Sequence, residues 1–151
     1  MRLDLGGLAL RNGERYECVY NLEIDPVVLG GAEYQAIVPD GAMVTIDRVA
    51  GGFVIDLVID ARIFGPCSRC LGEAEVPVHA EQQEFAPTAP GGWTDSEACV
   101  FINDLVLDVG GLAREALVLA VPGQVLCSAS CEGLCPQCGK NMNEGPCSCR
   151  A

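Results

Sequence analysis

Eight cysteines fall into four close pairs: Cys67-x2-Cys70, Cys127-x3-Cys131, Cys135-x2-Cys138 and Cys147-x-Cys149. A cysteine kept for core packing sits singly. Pairs a few residues apart aim two sulfurs at one point, which suits a metal ion. Cys135-Pro136-Gln137-Cys138-Gly139 is the sharpest piece. Its proline fixes the entry to a turn, and its glycine accepts the positive φ that lets backbone amides face the sulfurs. This is the chemistry of a zinc knuckle, and Zn2+ is the expected cofactor. A zinc ion held by four thiolates has no open position for water or substrate, so its role is structural rather than catalytic.

A tetrahedral ion takes two pairs. Residues 135–149 make a self-contained unit: a knuckle, an outward run from Gly139 to Asn143, a turn at Glu144-Gly145-Pro146 and a return to Cys147 and Cys149. The favoured scheme therefore has two sites. Cys135, Cys138, Cys147 and Cys149 form one, and Cys67, Cys70, Cys127 and Cys131 form the other, fastening the exit of a helix to the first hairpin of the sheet. The alternative is a single site drawn from residues 127–149 with Cys67 and Cys70 left unmetallated. Cys18 and Cys99 remain over, each within a stretch read as strand, where free cysteine is ordinary core.

A disulfide framework is the competing use of many cysteines. The N-terminus, Met1-Arg2-Leu3-Asp4-Leu5, lacks the charged and then apolar runs of a secretory signal. A chain of 151 residues can bury a core without covalent staples. Cys147-Ser148-Cys149 is too tight to bridge internally without strain. The longest apolar stretch, Leu105 to Val125, is cut by Asp108, Arg114 and Glu115, so no membrane span is expected. These features point to a reducing compartment, the cytoplasm.

The formal charge is −12, with eight arginines and a single lysine. Eight thiolates and two divalent ions would carry it to about −16. Such a chain is repelled by phosphate backbones and attracted to basic partners. Residues 73–108 hold Glu73, Glu75, Glu81, Glu84, Asp95, Glu97, Asp104 and Asp108 with no Lys or Arg. Other chemistry is missing. The lone histidine, His79, cannot assemble a Ser-His-acid set, and there is no phosphate-binding glycine loop and no HExxH. Asp56 and Asp60 lie four apart on a strand and share a face, as solvent charges commonly do. The expectation is not an enzyme.

The elements that position the thiols read mostly as β. Tyr16 to Ile24 alternates as a half-buried strand ended by Pro26. Tyr34 to Val38 follows the Gly30-Gly31 turn. Met43, Val44 and Ile46 lead through Ala50-Gly51-Gly52 into Phe53 to Phe64, a hairpin. Gly65-Pro66 introduces Cys67-Ser68-Arg69-Cys70, and a second hairpin turn at Leu71-Gly72 feeds Glu73 to Phe85. Ala86 to Ser96 reads as a loop bearing Trp93, and Ala98 to Ile102 as a short strand. Asp108 is a fitting N-cap for a helix to about Leu119, with Leu112, Ala113, Ala116 and Leu117 inward. Gly110 and Gly111 weaken its first turn and allow a start at Gly111, and Pro122-Gly123 stops it. The fold class is α+β, mainly β: a twisted antiparallel, partly barrel-like sheet with one main helix (about 108–119) and a C-terminal Cys-rich zinc ribbon. The division is a β-rich body over 1–126 and a Cys-rich tail over 127–151, packed on the body through Cys67 and Cys70.

Three segments together resemble the YceD family. They are Pro66-Cys67-Ser68-Arg69-Cys70-Leu71, the Asp108 helix ending in Leu119-Ala120-Val121-Pro122, and Leu126-Cys127 to Gly139 with Asn143-Glu144-Gly145-Pro146-Cys147-Ser148-Cys149. The resemblance spans essentially the whole chain, and the tail carries most of it. It implies a bacterial or plastid protein needed for accumulation of large-subunit (23S) ribosomal RNA. It supplies no mechanism.

The resulting expectation is a non-enzymatic ribosome-biogenesis factor, cytoplasmic and bacterial. It would hold a basic ribosomal protein or a pre-large-subunit particle and bind naked RNA weakly or not at all. Residues 103–151 contain no Phe, Tyr or Trp on which bases could stack. A local basic spot at Arg62 and Arg69 leaves RNA contact within a particle open. The alternative is a redox-responsive or iron electron-transfer module, since CPxCG knuckles also hold iron. A nucleic-acid-binding ribbon is a third reading, which the charge opposes.

Overall fold

Apolar residues recur at every second position from Phe53 to Ile63, and this period builds a long strand, β6 (Gly52–Pro66). It folds back on β7 (Glu73–Pro87) in unbroken antiparallel register, from Gly52 opposite Pro87 to Pro66 opposite Glu73. A computed structural model describes residues 1–89 and 99–150, the side chain of Arg150 excepted. Of the loop expected from Ala86 to Ser96, Ala86 and Pro87 instead end β7, and the part from Pro90 with Trp93, like Ala98 of the expected strand, lies outside the described residues.

The other edge of β6 is shared by two strands in succession. β5 (Ala42–Val49) pairs with its first half and β4 (Ala32–Ile37) with residues Arg62 to Phe64. β2 (Arg15–Tyr20) extends the sheet beyond β5, and β3 (Ile24–Leu29) extends it beyond β4. The six-stranded sheet is antiparallel and stays open, with β2, β3 and β7 as its edges.

A smaller sheet joins β1 (Arg2–Asp4), β9 (Val106–Asp108) and β8 (Ile102–Asn103). It leads directly into α1 (Val109–Ala120). Asp108 caps α1 by accepting a bond from the Gly111 amide at 3.1 Å. Gly111 is needed for a second reason: a Cβ there would stand 2.6 Å from the Phe101 ring. The helix begins at Val109 rather than at Gly111, because the cap and β9 hold its first turn.

One face of the main sheet is dry. Val44, Ile46, Ile55, Leu57 and Ile59 meet Leu112, Ala113 and Ala116 of α1, with Leu3, Leu5 and Leu107 closing the cluster. A second cluster continues along the far half of β6 and β7. It holds Tyr34, Ala61, Ile63, Val78, Leu117 and Val125, and it includes Cys67, Cys70 and Cys131. Burying a Leu or Ile side chain contributes about 1.5–3 kcal/mol, so the thiols of this cluster sit on a stable base.

Three expectations change. Pro26 does not end a strand: it lies within β3, where the register shifts between Ile24 and Val27. An edge strand with a bulge tolerates the missing donor. The strand from Tyr16 instead stops at Tyr20. Cys99 precedes a turn rather than sitting in a strand, since the Ile102 amide bonds back to its carbonyl at 3.2 Å. β1 and β9, each three residues long, carry too little alternation to be read from sequence.

Candidate metal centres

The turn between β6 and β7 is closed by its own backbone. The Cys67 amide bonds to the Gly72 carbonyl at 2.7 Å, and the Leu71 amide to the Cys67 carbonyl at 3.0 Å. This aims the sulfurs of Cys67 and Cys70 the same way. The chain leaving α1 is fastened to that turn twice. The Ser68 amide donates to the Val125 carbonyl at 2.7 Å, and the Val125 amide donates to the Ser68 hydroxyl at 3.2 Å. Cys127 and Cys131 then complete a group of four. Cys67 and Cys131 Sγ lie 3.7 Å apart, as do Cys70 and Cys127 Sγ.

The second group lies within residues 135–149. The Gly139 amide bonds to the Cys135 carbonyl at 2.9 Å, the same closure that Leu71 makes on Cys67. Gly139 has φ +74°, and Leu71, at the matching place in the first turn, has φ +62°. Glycine takes that conformation without cost, whereas leucine is strained there. Cys147 Sγ is 3.4 Å from Cys135 Sγ, with Cys138 and Cys149 completing the set. In each group all four sulfurs lie within 4.8 Å of one another.

The spacing tests what the sulfurs can hold. A disulfide needs about 2.05 Å between sulfurs. Four sulfurs about 2.3 Å from a tetrahedral zinc ion stand about 3.8 Å apart. Separations of 3.4–3.7 Å match the metal and not the disulfide. Both groups could therefore hold a metal ion, and the sulfurs gather in the pairs of the two-site arrangement.

Electrostatics gives the groups a shared asymmetry. Burial resists ionisation of Cys67, yet the amides of Cys70, Arg69 and Cys127 outweigh it and bring its pKa to about 6. Cys135 falls to about 6 through the amides of Cys138 and Gln137 and the thiol of Cys147. One companion in each group resists. Cys127 is pushed up to about 12 by its bonds to Cys131 and Cys70, and Cys149 up to about 11 by Cys138. Cys131 is lowered as well, chiefly by the Asn143 side chain, so each group has at least one thiol poised to ionise, while Cys127 and Cys149 need an added positive charge beside them.

The wet face of the main sheet carries a different signal. Register sets Glu17, Asp47, Asp56, Asp60, Glu75 and Glu81 on this face across β2, β5, β6 and β7. Its cations are engaged: Arg15 with Asp47 at 2.6 Å and Arg62 with Glu75 at 3.4 Å. His79 is exposed, as a surface strand residue should be. It lies 2.6 Å from Asp60 and 3.1 Å from Glu81, and these bonds raise its pKa.

The acidic run legible in residues 73–108 is split by the fold. Glu73, Glu75 and Glu81 are exposed, but Glu84 points to the opposite face beside Gln82, at 2.8 Å. Asp104 lies in a turn, Asp108 caps the helix, and Asp95 and Glu97 lie outside the described residues. Sequence reading missed Glu17 and Asp47, which only strand register brings to this face. The basic spot at Arg62 and Arg69 is not free either, because Arg69 donates to the Cys131 carbonyl at 3.0 Å.

Residues 55–151 match the family described as Large ribosomal RNA subunit accumulation protein YceD. The chain is also 27% identical over 153 residues to the Uncharacterized protein Mb2951c of Mycobacterium bovis and the Uncharacterized protein Rv2926c of Mycobacterium tuberculosis. Each alignment covers 97% of this chain and 72% of the relative. No solved structure matches. No helix among the described residues is long and apolar enough to cross a membrane.

Proposed function

Because the chain belongs to the YceD family, we propose that it is a non-enzymatic factor in ribosome biogenesis, required for large-subunit (23S) rRNA accumulation. It holds a basic ribosomal protein, or a pre-large-subunit particle displaying one, against the wet face of its main sheet. The observation that carries this reading is the convergence of carboxylates from four strands on that face, with its arginines already paired. Such a surface repels a naked phosphate backbone and accelerates encounter with a basic protein.

Two zinc ions, one in each group of four cysteines, stiffen the scaffold. Cys67, Cys70, Cys127 and Cys131 hold the first, and Cys135, Cys138, Cys147 and Cys149 hold the second. Zinc, bound by thiolates alone, supplies cross-links and no reactive position. Residues 1–126 form the body, and the tail from residue 127 is fixed to it through Cys67 and Cys70. The work is cytoplasmic.

Capture of the tagged protein from cells, with rRNA and proteins both identified, tests the reading. Recovery of basic large-subunit proteins or precursor particles in a salt-sensitive manner is expected. Tight binding of naked rRNA fragments at physiological salt, insensitive to the acidic face, would overturn it.

A further inference from the structure

Asn143 belongs to the second thiol group by sequence and touches the first. It lies in a short 3-10 helix, Met142–Glu144, between the knuckle at Cys135 and the return to Cys147. Its amide is held by the Asn141 side-chain oxygen at 3.0 Å. The neighbouring Met142 amide reaches the Gly133 carbonyl at 2.8 Å, and Leu134 bridges to Asn141. The Asn143 side chain then leaves this unit. Its Oδ1 accepts from the Glu132 amide at 2.8 Å, and its Nδ2 donates to Cys131 Sγ at 3.3 Å. The amide orientation follows from chemistry, since only the oxygen can accept from Glu132 N–H.

From this bridge we propose that Asn143 is a positioning residue that couples metal loading of the two sites. An ion on Cys135, Cys138, Cys147 and Cys149 orders the loop that presents Asn143. The ordered Asn143 then stabilises the Cys131 thiolate and fixes the chain beside it. Loss of the second ion releases Asn143 and loosens the first ion. Partners of this kind, bonded to a metal ligand rather than to the metal, change affinity by about 10–100-fold. Coupling is reciprocal in free energy, so an ion in the first site also favours the second. The inference rests on the two-zinc reading.

The test follows zinc release from the purified full-length chain into a chromophoric chelator, together with cadmium NMR of the cadmium-loaded protein. Asn143→Ala should speed release of the first ion about tenfold or more, loosen the second ion as reciprocal coupling requires, and shift the first-site resonance most. Asn143→Asp keeps the acceptor for Glu132 and removes the donor to sulfur, so it should behave like Asn143→Ala. Cys138→Ser should remove the second ion and speed loss of the first to the same extent. Adding Asn143→Ala to Cys138→Ser should change nothing further, as expected when both act through one contact. A wild-type rate in Asn143→Ala, or effects that multiply in the double variant, would overturn the coupling while leaving two bound ions in place. A wild-type chain that binds no zinc would overturn the metal reading itself, and the coupling with it.

Discussion

Replacing one ligand in each group separates a cross-link between distant segments from one within a single loop. Cys70→Ser disrupts the first group, whose sulfur contacts join residues 57 and 64 apart in sequence. Cys138→Ser disrupts the second, where Cys135 and Cys147 are 12 apart. In the chain-entropy picture, closing roughly 60 residues contributes about 4 kcal/mol and closing roughly 12 about 3 kcal/mol. The larger contribution falls on the body, because Cys67, Cys70 and Cys131 are part of its second core cluster. The smaller is confined to residues 135–149, where the described segment has Met142 and no buried large apolar side chain. For a chain of this size 1 kcal/mol moves the midpoint by about 2–4 °C. Cys70→Ser should therefore lower unfolding of the body by about 8–16 °C. Cys138→Ser reaches the body only through Asn143, a tenfold effect worth about 1.4 kcal/mol, and should lower it by at most about 6 °C. Thermal unfolding followed by circular dichroism measures both, and hydrogen exchange locates them. Cys70→Ser should speed exchange most at Ile63 and Val78, whereas Cys138→Ser should speed it most beyond Gly133 and, through Asn143, at Glu132. Equal shifts of the body midpoint would refute the assignment of Cys67 and Cys70 to a body-to-tail link.

Elemental analysis of protein purified without chelator should give two zinc ions per chain and a colourless solution; a coloured, iron-containing protein would favour the redox alternative. The variant Asp56→Asn, Asp60→Asn, Glu81→Gln should keep its fold, because these side chains lie on the wet face and bond to the surface residues His79 and Gln83, and should bind a basic large-subunit protein more weakly with a flatter salt dependence. His79 should titrate above its ordinary 6.5, and Asp60→Asn should lower that value in an NMR titration. Since the folded value is raised, the His79 contacts add stability fully below about pH 6.5 and lose it as pH rises through the folded value. Leu71→Gly should leave the midpoint nearly unchanged: relief of a positive-φ leucine is about 1 kcal/mol, and glycine gives back about as much in unfolded-chain entropy.

Much of this architecture is legible locally. The knuckle at Cys135 announces itself because proline, glycine and two thiols act within five residues. The β6–β7 hairpin does so because alternation persists over two long strands, and α1 because Asp108, the apolar stripe and Pro122 agree. The rest depends on long-range pairing. The acidic face needs β2, β5, β6 and β7 in register before Glu17 and Asp47 join Asp56, Asp60 and Glu81. Pro26 reads as a stop because a bulged edge cannot be told from a strand end in one dimension. Asn143 carries no sequence signal of its own, since its meaning lies in a sulfur 12 residues away. Leu71 misleads for the opposite reason: leucine occupies a left-handed position where glycine is the residue a reader expects.

The ratio of large- to small-subunit rRNA in cells depleted of this protein tests the central claim most directly. Depletion should lower the ratio, and the wild-type chain should restore it. The chain with Asp56→Asn, Asp60→Asn and Glu81→Gln, present at the same level and folded, should not restore it. An unchanged ratio on depletion would contradict the role in large-subunit accumulation, and full restoration by the neutralised variant would contradict the acidic face as its working surface.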